Sequence, residues 1–147
     1  MPPSLEFYNH VEALSDQDCA RLSQWSKLAL PACLEHPGPG SCDLPELDEI
    51  EISIVSDETI GEIHDQFMDD PSPTDVITFQ HGEIMISHDT AHNTAAGMEH
   101  STLEELFLYV VHGLLHLNGH LDAEESDRKE MHRIQDEIWC QVLTAGE

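Results

Sequence analysis

The segment HGLLHLNGHLD, residues 112–122, brings together side chains that can bind a metal ion. His112 and His116 are four residues apart, so on a helix their imidazoles lie on the same face. Two imidazoles at this spacing can hold one zinc-like ion. The flanking residues are almost all apolar, which indicates a buried helix, and a buried imidazole needs partners for its ring nitrogens. We therefore predict that this pair binds a metal.

A third metal ligand has to come from the chain that follows the helix. Gly119 allows a sharp turn, and in the zinc-protease motif HExxHxxGxxH the third ligand stands six residues after the second histidine. Asp122 holds that position here, and a carboxylate is a competent zinc ligand. His120 is the alternative, although it follows the glycine directly and has less chain with which to turn back. Gly113 replaces the glutamate that the protease motif uses as general base, which argues against peptide hydrolysis.

Five further histidines are weaker candidates for this chemistry. His64 and His81 could approach the same cleft from a neighbouring helix and a strand connection, and either could shuttle protons near neutral pH. His88 and His92 are also four residues apart, but their segment is more polar, so we interpret them as surface residues. We interpret His132 as a surface or boundary residue that could border the metal site.

Carboxylate and hydroxyl side chains outside this segment do not suggest another catalytic group. Asp75, in the PTDV sequence, is suited to anchoring a turn or a backbone amide rather than to acid–base chemistry. Thr78 and Ser87 have no base at a recognisable spacing, so the sequence does not support serine-type catalysis.

The chain is strongly acidic: its 147 residues include 30 Asp and Glu against 5 Lys and Arg, a formal net charge of −25. This length suits a single domain over residues 1–147 with a substantial hydrophobic core. The charge repels polyanions at long range, and the basic patch typical of nucleic-acid-binding proteins is absent. We interpret most of the carboxylates as a solvated surface. The basic residues are Arg21, Lys27, Arg128, Lys129 and Arg133.

Cysteine usage and hydropathy favour a cytoplasmic protein. The four cysteines form no CxxC pair, so we expect free thiols rather than a zinc ribbon or a redox dithiol. The N-terminal residues lack the basic region and following apolar stretch of a secretory signal. No apolar run approaches the ~18 residues of a membrane helix, so we expect no membrane partner.

Four segments have the alternation or composition of β-strands. They are LEFYNHV at residues 5–11, LDEIEISIVSD at 47–57, TDVITF at 74–79 and GEIMIS at 82–87. The short QHG-containing connection predicts that the last two strands form a hairpin. The DDPSP sequence, residues 69–73, predicts a turn, and the Pro- and Gly-rich sequence at residues 35–46 predicts a loop.

Two helices are predicted in the first half of the chain. The first follows Ser15, a suitable N-cap, and Pro31 is expected to end it or to lie just beyond its last full turn. The second is expected to take Asp57 as its N-cap. The leading apolar positions of this second helix, at steps of three and four residues, are Ile60, Ile63 and Phe67.

Three more helices are predicted in the second half, over residues 88–98, 101–119 and 123–143. Ser101 followed by Glu104 is a capping-box pattern, and Gly119 is placed to cap the C-terminus of the middle helix. Together the segments predict an α+β fold: one small domain in which a mixed sheet of about four strands packs with about five helices.

The blocks HGLLHLNGHLD, PTDVITF and HGEIMIS together resemble the YbeY family of bacterial metal-dependent endoribonucleases. The family pattern is HGxLHLxGYDH, and PTDVITF is similar to its PTDVLSF. The order and separation of the blocks also match, and the resemblance covers roughly residues 45 to 140. It implies a hydrolase, an endonuclease that acts on single-stranded or ribosomal RNA in ribosomal RNA processing and ribosome maturation.

Carried over by position, the family's metal ligands fall on His112, His116 and Asp122, and the ion they imply is one zinc. The metal would bind and acidify the water that attacks a phosphodiester. The family has histidine at the third position and Tyr-Asp before it, where this chain has His120-Leu121. A carboxylate ligand makes the site richer in oxygen, which also suits manganese or iron.

The chain departs from the family at a second position. The family's arginine, in a YR pair before PTDV, is replaced by Met68, and no Lys or Arg lies between Lys27 and Arg128. Phosphoryl transfer generally uses a cation to stabilise developing charge. An alternative is therefore a metal-stabilised binding module with little or no nuclease activity, which assists ribosome maturation through ribosomal or GTPase protein partners. A hydrolase of a small phosphorylated or amide substrate is a third hypothesis.

Overall fold

The computed structural model describes residues 2–70 and 74–145, and within them the predicted α+β fold is confirmed. Residues 71–73 of the predicted DDPSP turn lie outside the described residues. The strands are β1 (Ser4–Asn9), β2 (Glu49–Val55), β3 (Val76–Phe79) and β4 (Glu83–Ser87). The helices are α1 (Asp16–Leu34), α2 (Asp57–Met68), α3 (His88–Ala96), α4 (Thr102–Leu117) and α5 (Glu125–Ala145).

The four strands form one mixed sheet in the order β1-β2-β4-β3. β1 pairs in parallel with β2, and β2 pairs in parallel with β4. β3 and β4 form the predicted antiparallel hairpin, with Val76 opposite Ile86 and Phe79 opposite Glu83. Gly82, in the connection, has a φ of 109°, a backbone conformation that favours glycine. β3 stands at one end of the strand order, so it is an edge strand whose outer side can border a cleft.

Helix α4 lies at the centre of the hydrophobic core. It contacts α1, α3, α5 and both strands of the hairpin. The ring of Phe107 in α4 lies 5.6 Å from that of Trp25 in α1. The predicted capping box is confirmed: the Glu104 backbone N–H donates to Ser101 Oγ at 3.1 Å, and the Ser101 N–H donates to Glu104 Oε1 at 2.8 Å. Burial and the cap together hold in place the helix that carries the histidine pair.

Gly113 allows α4 to lie directly against strand β4. A Cβ atom at this position would stand 2.8 Å from Cδ1 and 2.9 Å from Cγ2 of Ile84. Ile84 is completely buried, so its side chain has little room to move away. Glycine therefore sets how closely the histidine-bearing helix approaches the sheet.

The predicted end of α1 at Pro31 is wrong. The helix continues to Leu34, and Pro31 lies inside it. The buried side chains of Leu30 and Cys33 lie on either side of the proline. Burying them favours a further helical turn against the core, and this outweighs the backbone hydrogen bond that proline cannot donate.

The predicted N-cap of α2 is also wrong, because Ser56 caps the helix and Asp57 is its first residue. The Ser56 hydroxyl accepts a hydrogen bond from the Thr59 N–H at 3.2 Å. The Asp57 carboxylate instead accepts from the hydroxyls of Ser87 at 2.5 Å and Thr90 at 2.7 Å. Asp57 therefore ties the first turn of α2 to the first turn of α3.

The predicted apolar face of α2 is buried only at its N-terminal end. Ile60 is completely buried, Ile63 is half-buried, and Phe67 is 61% exposed. The helix packs through its first turns on β4 and α3, so its last turn extends beyond the core. Phe67 is thus a surface residue, where its ring makes an edge contact with Phe79 at 5.1 Å.

The four cysteines are free thiols, as predicted. Burial raises the pKa of the Cys33 thiol to about 12, which leaves it protonated and unreactive near neutral pH. In the described part of the chain, every helix is too short or too polar to cross a membrane.

We expect Gly113→Ala to lower the free energy of unfolding by about 1–3 kcal/mol, because the new methyl group overlaps Ile84. Helix propensity alone favours alanine by about 1 kcal/mol, so a net loss reports the packing clash. Urea denaturation measures the change. Gly97→Ala is the matched control, since a Cβ there meets only Thr94 O at 3.8 Å. Equal stability of the two variants would contradict the packing argument.

Candidate active-site cleft

A cleft of about 270 Å³ opens between α2, β3 and the C-terminal part of α4. It gathers His112, His116 and Asp122, the three residues that the sequence predicts as metal ligands. The full lining is His64, Met68, Thr74, Val76, Ile77, Thr78, His112, His116 and Asp122.

The imidazole of His112 is oriented by a buried amide on α5. Its Nδ1–H donates to Gln135 Oε1 at 2.8 Å, so Nε2 keeps its lone pair. Burial lowers the pKa of His112, although the hydrogen bond to Gln135 and the carboxylates of Asp75 and Asp122 oppose the shift. The ring is therefore neutral near neutral pH, which is the form that binds a metal.

His116, one turn further along α4, also has the character of a ligand. Its Nδ1 atom is buried and has no hydrogen-bond partner among the described residues. An unpaired buried imidazole nitrogen costs about 1–3 kcal/mol, so its presence requires an explanation. A bound ion or substrate in the cleft would give this nitrogen its missing partner, which would explain why it is unpaired here.

The two candidates for the third ligand lie in different surroundings. Asp122 lines the cleft, and its backbone carbonyl accepts a hydrogen bond from Arg128 Nη1 at 3.3 Å. His120 is only 3% exposed and is absent from the cleft lining. Its Nε2–H donates to the His36 carbonyl at 2.6 Å, so this ring is engaged by the loop before β2.

The described residues fit a metal site in part. Across residues 2–70 and 74–145, no three His, Cys, Asp or Glu side chains are arranged to enclose an ion as they stand. His112 and His116 both line one cleft, whereas Asp122 lies on an exposed segment. The three predicted ligands therefore line one cleft without enclosing an ion as they stand.

A loop clamps the turn that leads from α4 to Asp122. The N–H of Gly38 donates to the Asn118 carbonyl at 2.8 Å, and that of Gly40 to the Gly119 carbonyl at 2.7 Å. A Cβ at Gly38 would stand 2.4 Å from the Gly119 backbone, so only glycine permits this contact. Gly119 has a φ of 94° just after the helix, as its predicted capping role requires. The loop thus fixes where the chain leaves α4.

The other candidate histidines lie in different parts of the structure. His64, a weaker candidate from the sequence, lines the cleft. His81 is exposed, stacks on Phe79 at 5.7 Å and lies outside the cleft lining. His132 is exposed on α5, with its ring 6.2 Å from that of His112, and it lines an adjoining cavity that His112 also lines.

His88 and His92 lie in a different cleft, between α3 and the start of α4. Their rings are nearly parallel, with centroids 6.4 Å apart. His92 is exposed, as expected for a surface residue, whereas His88 is half-buried and burial lowers its pKa. Neither residue contributes to the cleft of His112.

The remaining predicted residues have structural contacts. Asp75 Oδ1 accepts from the Val76 N–H at 2.9 Å, which agrees with an anchoring role. Ser87 is buried and its hydroxyl donates to Asp57, so it is engaged in the helix contact described above. Thr78 lines the cleft, and Met68, which is 68% exposed, stands at its edge. The described lining contains no Lys or Arg.

Gln135 is the site residue that the sequence interpretation missed. The buried positions of α5 recur at helical spacing, and Gln135, only 7% exposed, is the polar residue among them. A polar residue in such an apolar row is the signal that could have identified it. Its apolar companions are Met131, Ile134, Ile138 and Val142.

The fold and the cleft define an α+β protein with a pair of histidines at the edge of a mixed sheet. The family model described as Endoribonuclease YbeY matches residues 14–142. The chain therefore belongs to the YbeY family, as the three sequence blocks suggested.

Several relatives carry the name Endoribonuclease YbeY. That of Micrococcus luteus is 31% identical over 67% of this chain and 73% of its own length. That of Acidothermus cellulolyticus is 30% identical over 84% of this chain and 82% of its own. The solution structure of a Thermotoga maritima protein superposes with a TM-score of 0.65 and 23% identity. It covers 96% of this chain and 90% of its own, and supports the same fold.

We expect Gln135→Leu to release the His112 ring from a single tautomer, because the hydrogen bond to Nδ1 is lost. Imidazole nitrogen shifts, measured by NMR on the metal-free protein, should show one tautomer in the wild type and a mixture in the variant. Gln135→Glu is the control, since a carboxylate oxygen can accept the same bond. A wild-type ring with its proton on Nε2 would contradict the proposed orientation.

Proposed function

We propose that this chain is a metal-dependent endoribonuclease that cleaves single-stranded RNA in the cytoplasm, in the processing of ribosomal RNA during ribosome maturation. The observation that carries the proposal is the pair His112 and His116, which face one cleft while Gln135 holds Nε2 of His112 available. Family membership supports the reaction class, because the relatives are named endoribonucleases.

His112, His116 and Asp122 are the residues that would hold one divalent ion, for which zinc suits two imidazoles and a carboxylate. When bound, the ion supplies Lewis acidity and lowers the pKa of a water molecule. Gln135 keeps the His112 ring in its ligating orientation. The loop at Gly38 and Gly40 keeps the turn before Asp122 close to the end of α4.

The substrate would contact the side of the cleft formed by β3. Thr74 and Thr78 bring hydroxyl groups to this lining, and hydroxyls donate hydrogen bonds to phosphate oxygens. Val76 and Ile77 add apolar surface beside them. An unpaired RNA strand, whose bases can separate from their neighbours, fits such a mixed surface better than a duplex does.

We expect Asp122→Asn to weaken zinc binding by about 100-fold or more and to reduce RNA cleavage in parallel, because a neutral amide is a poorer ligand. Competition with a chromophoric chelator measures the affinity, and a fluorescent single-stranded RNA reports cleavage. His120→Asn is the matched control. It should lower stability, since His120 is buried against His36, while one zinc still binds. Full zinc affinity in the Asp122 variant would show that the third ligand is another residue.

The second candidate function is a binding module that contacts ribosomal or GTPase proteins without cleaving RNA. The described cleft lining has no Lys or Arg, and the net charge of −25 opposes binding to RNA. In this case the histidine pair would hold a structural ion.

The salt dependence of RNA affinity separates the two functions. An endoribonuclease of this charge should bind a short RNA strand weakly, with a salt slope of about −0.7 for each phosphate neutralised and few phosphates involved. Fluorescence anisotropy at several salt concentrations measures this slope. A binding module should show no RNA affinity at low salt and no cleavage with zinc bound.

A further inference from the structure

His64 and Met68 reach the cleft from the same side of α2. They are four residues apart, so they lie on one face of the helix, and both belong to the lining. The helix is held at its start by the Ser56 cap and by the hydrogen bonds that Asp57 accepts from Ser87 and Thr90. These contacts fix the start of the helix that carries His64 into the cleft lining.

His64 is the one described lining residue, besides the three assigned to the ion, whose side chain is titratable. The remaining lining residues are threonine, aliphatic or methionine. Residues 71–73 read Pro-Ser-Pro and add no titratable side chain. The other titratable groups of the described lining are His112 and His116 from α4 and Asp122 after it. Asp65, Asp69 and Asp70 follow His64 in the sequence, on α2 or just after it. On the β3 side, Asp75 lines an adjoining cavity instead.

We propose that His64 is a catalytic residue, which donates a proton to the 5′-oxygen that leaves when the RNA strand is cleaved. This role rests on the proposed endoribonuclease function. The oxygen of water forms a new bond to phosphorus and the bond from phosphorus to the 5′-oxygen breaks. The His64 imidazolium gives its proton to that oxygen, and water's displaced proton passes to solvent, from which His64 is reprotonated. The products are a phosphate monoester and a free 5′-hydroxyl.

Proton donation by His64 also explains how RNA can be cleaved in a cleft that has Met68 in place of the family's arginine. A leaving oxygen that receives a proton as its bond breaks carries less negative charge, so it depends less on a fixed cation. An imidazole is also the side chain that enzymes use most often for general acid catalysis.

The test compares two RNA substrates that differ in one atom, with zinc-loaded His64→Gln and wild-type protein. In one substrate the scissile linkage is natural; in the other the 5′-oxygen is replaced by sulfur, which leaves as a thiolate without needing a proton. His64→Gln should slow cleavage of the natural substrate by about 100-fold or more. It should leave the sulfur substrate within a few-fold of wild type, with zinc affinity unchanged. His81→Gln, at an exposed histidine outside the lining, is the control and should change none of these values.

Several results would overturn the role. Equal slowing of both substrates would mean that His64 acts on structure or binding, and no slowing of either would exclude it from the reaction. A loss of zinc affinity would make it a metal ligand. If the wild type binds zinc and cleaves neither substrate, the endoribonuclease function fails and the role fails with it. If the wild type cleaves RNA but His64→Gln does not selectively slow the natural substrate, the endoribonuclease function stands and His64 is not its proton donor.

Discussion

The close contact between α4 and β4 at Gly113 is the constraint on which the rest of the structure depends. The bare backbone of this residue lies against Ile84, which brings the helix down onto the sheet. Apolar side chains of α4 then meet α1, α3 and α5 on its other sides. His112, next to Gly113, and His116, one turn on, occupy the edge of the helix that stays beside β3 and the cleft. A wider spacing would move both rings relative to the strand that borders them.

Two neighbouring elements complete this arrangement from outside α4. Gln135 of α5 holds one ring nitrogen of His112, and the loop with Gly38 holds the backbone after the helix. Neither element contributes a proposed ion ligand. The first leaves Nε2 of His112 with its lone pair, and the second fixes the turn before Asp122. The cleft therefore combines two histidines on a buried helix with Asp122 on an exposed segment. The described lining of the cleft contains no Lys or Arg.

Features that depend on local pattern were predictable from the sequence. The capping box at Ser101, the β3–β4 hairpin and the α+β class all follow from short-range signals, and each is confirmed. Pro31 and Phe67 were misjudged because the core, rather than local preference, determines how far α1 and α2 continue and what they bury. The hydrogen bond from His112 to Gln135 joins residues 23 apart in the sequence. The loop contact joins residues still further apart, Gly38 and Asn118. Periodicity carries no information about such long-range partners.

The most direct test of the central claim is a crystal structure of the zinc-loaded protein with the ion located by anomalous scattering. The account predicts one strong peak in the cleft, about 2.0–2.2 Å from a nitrogen of His112, a nitrogen of His116 and an oxygen of Asp122. Residues 121–124 should have moved toward α4 to complete the site. A peak ligated by His120, a peak elsewhere in the molecule, or no ordered ion at saturating zinc would contradict the assignment.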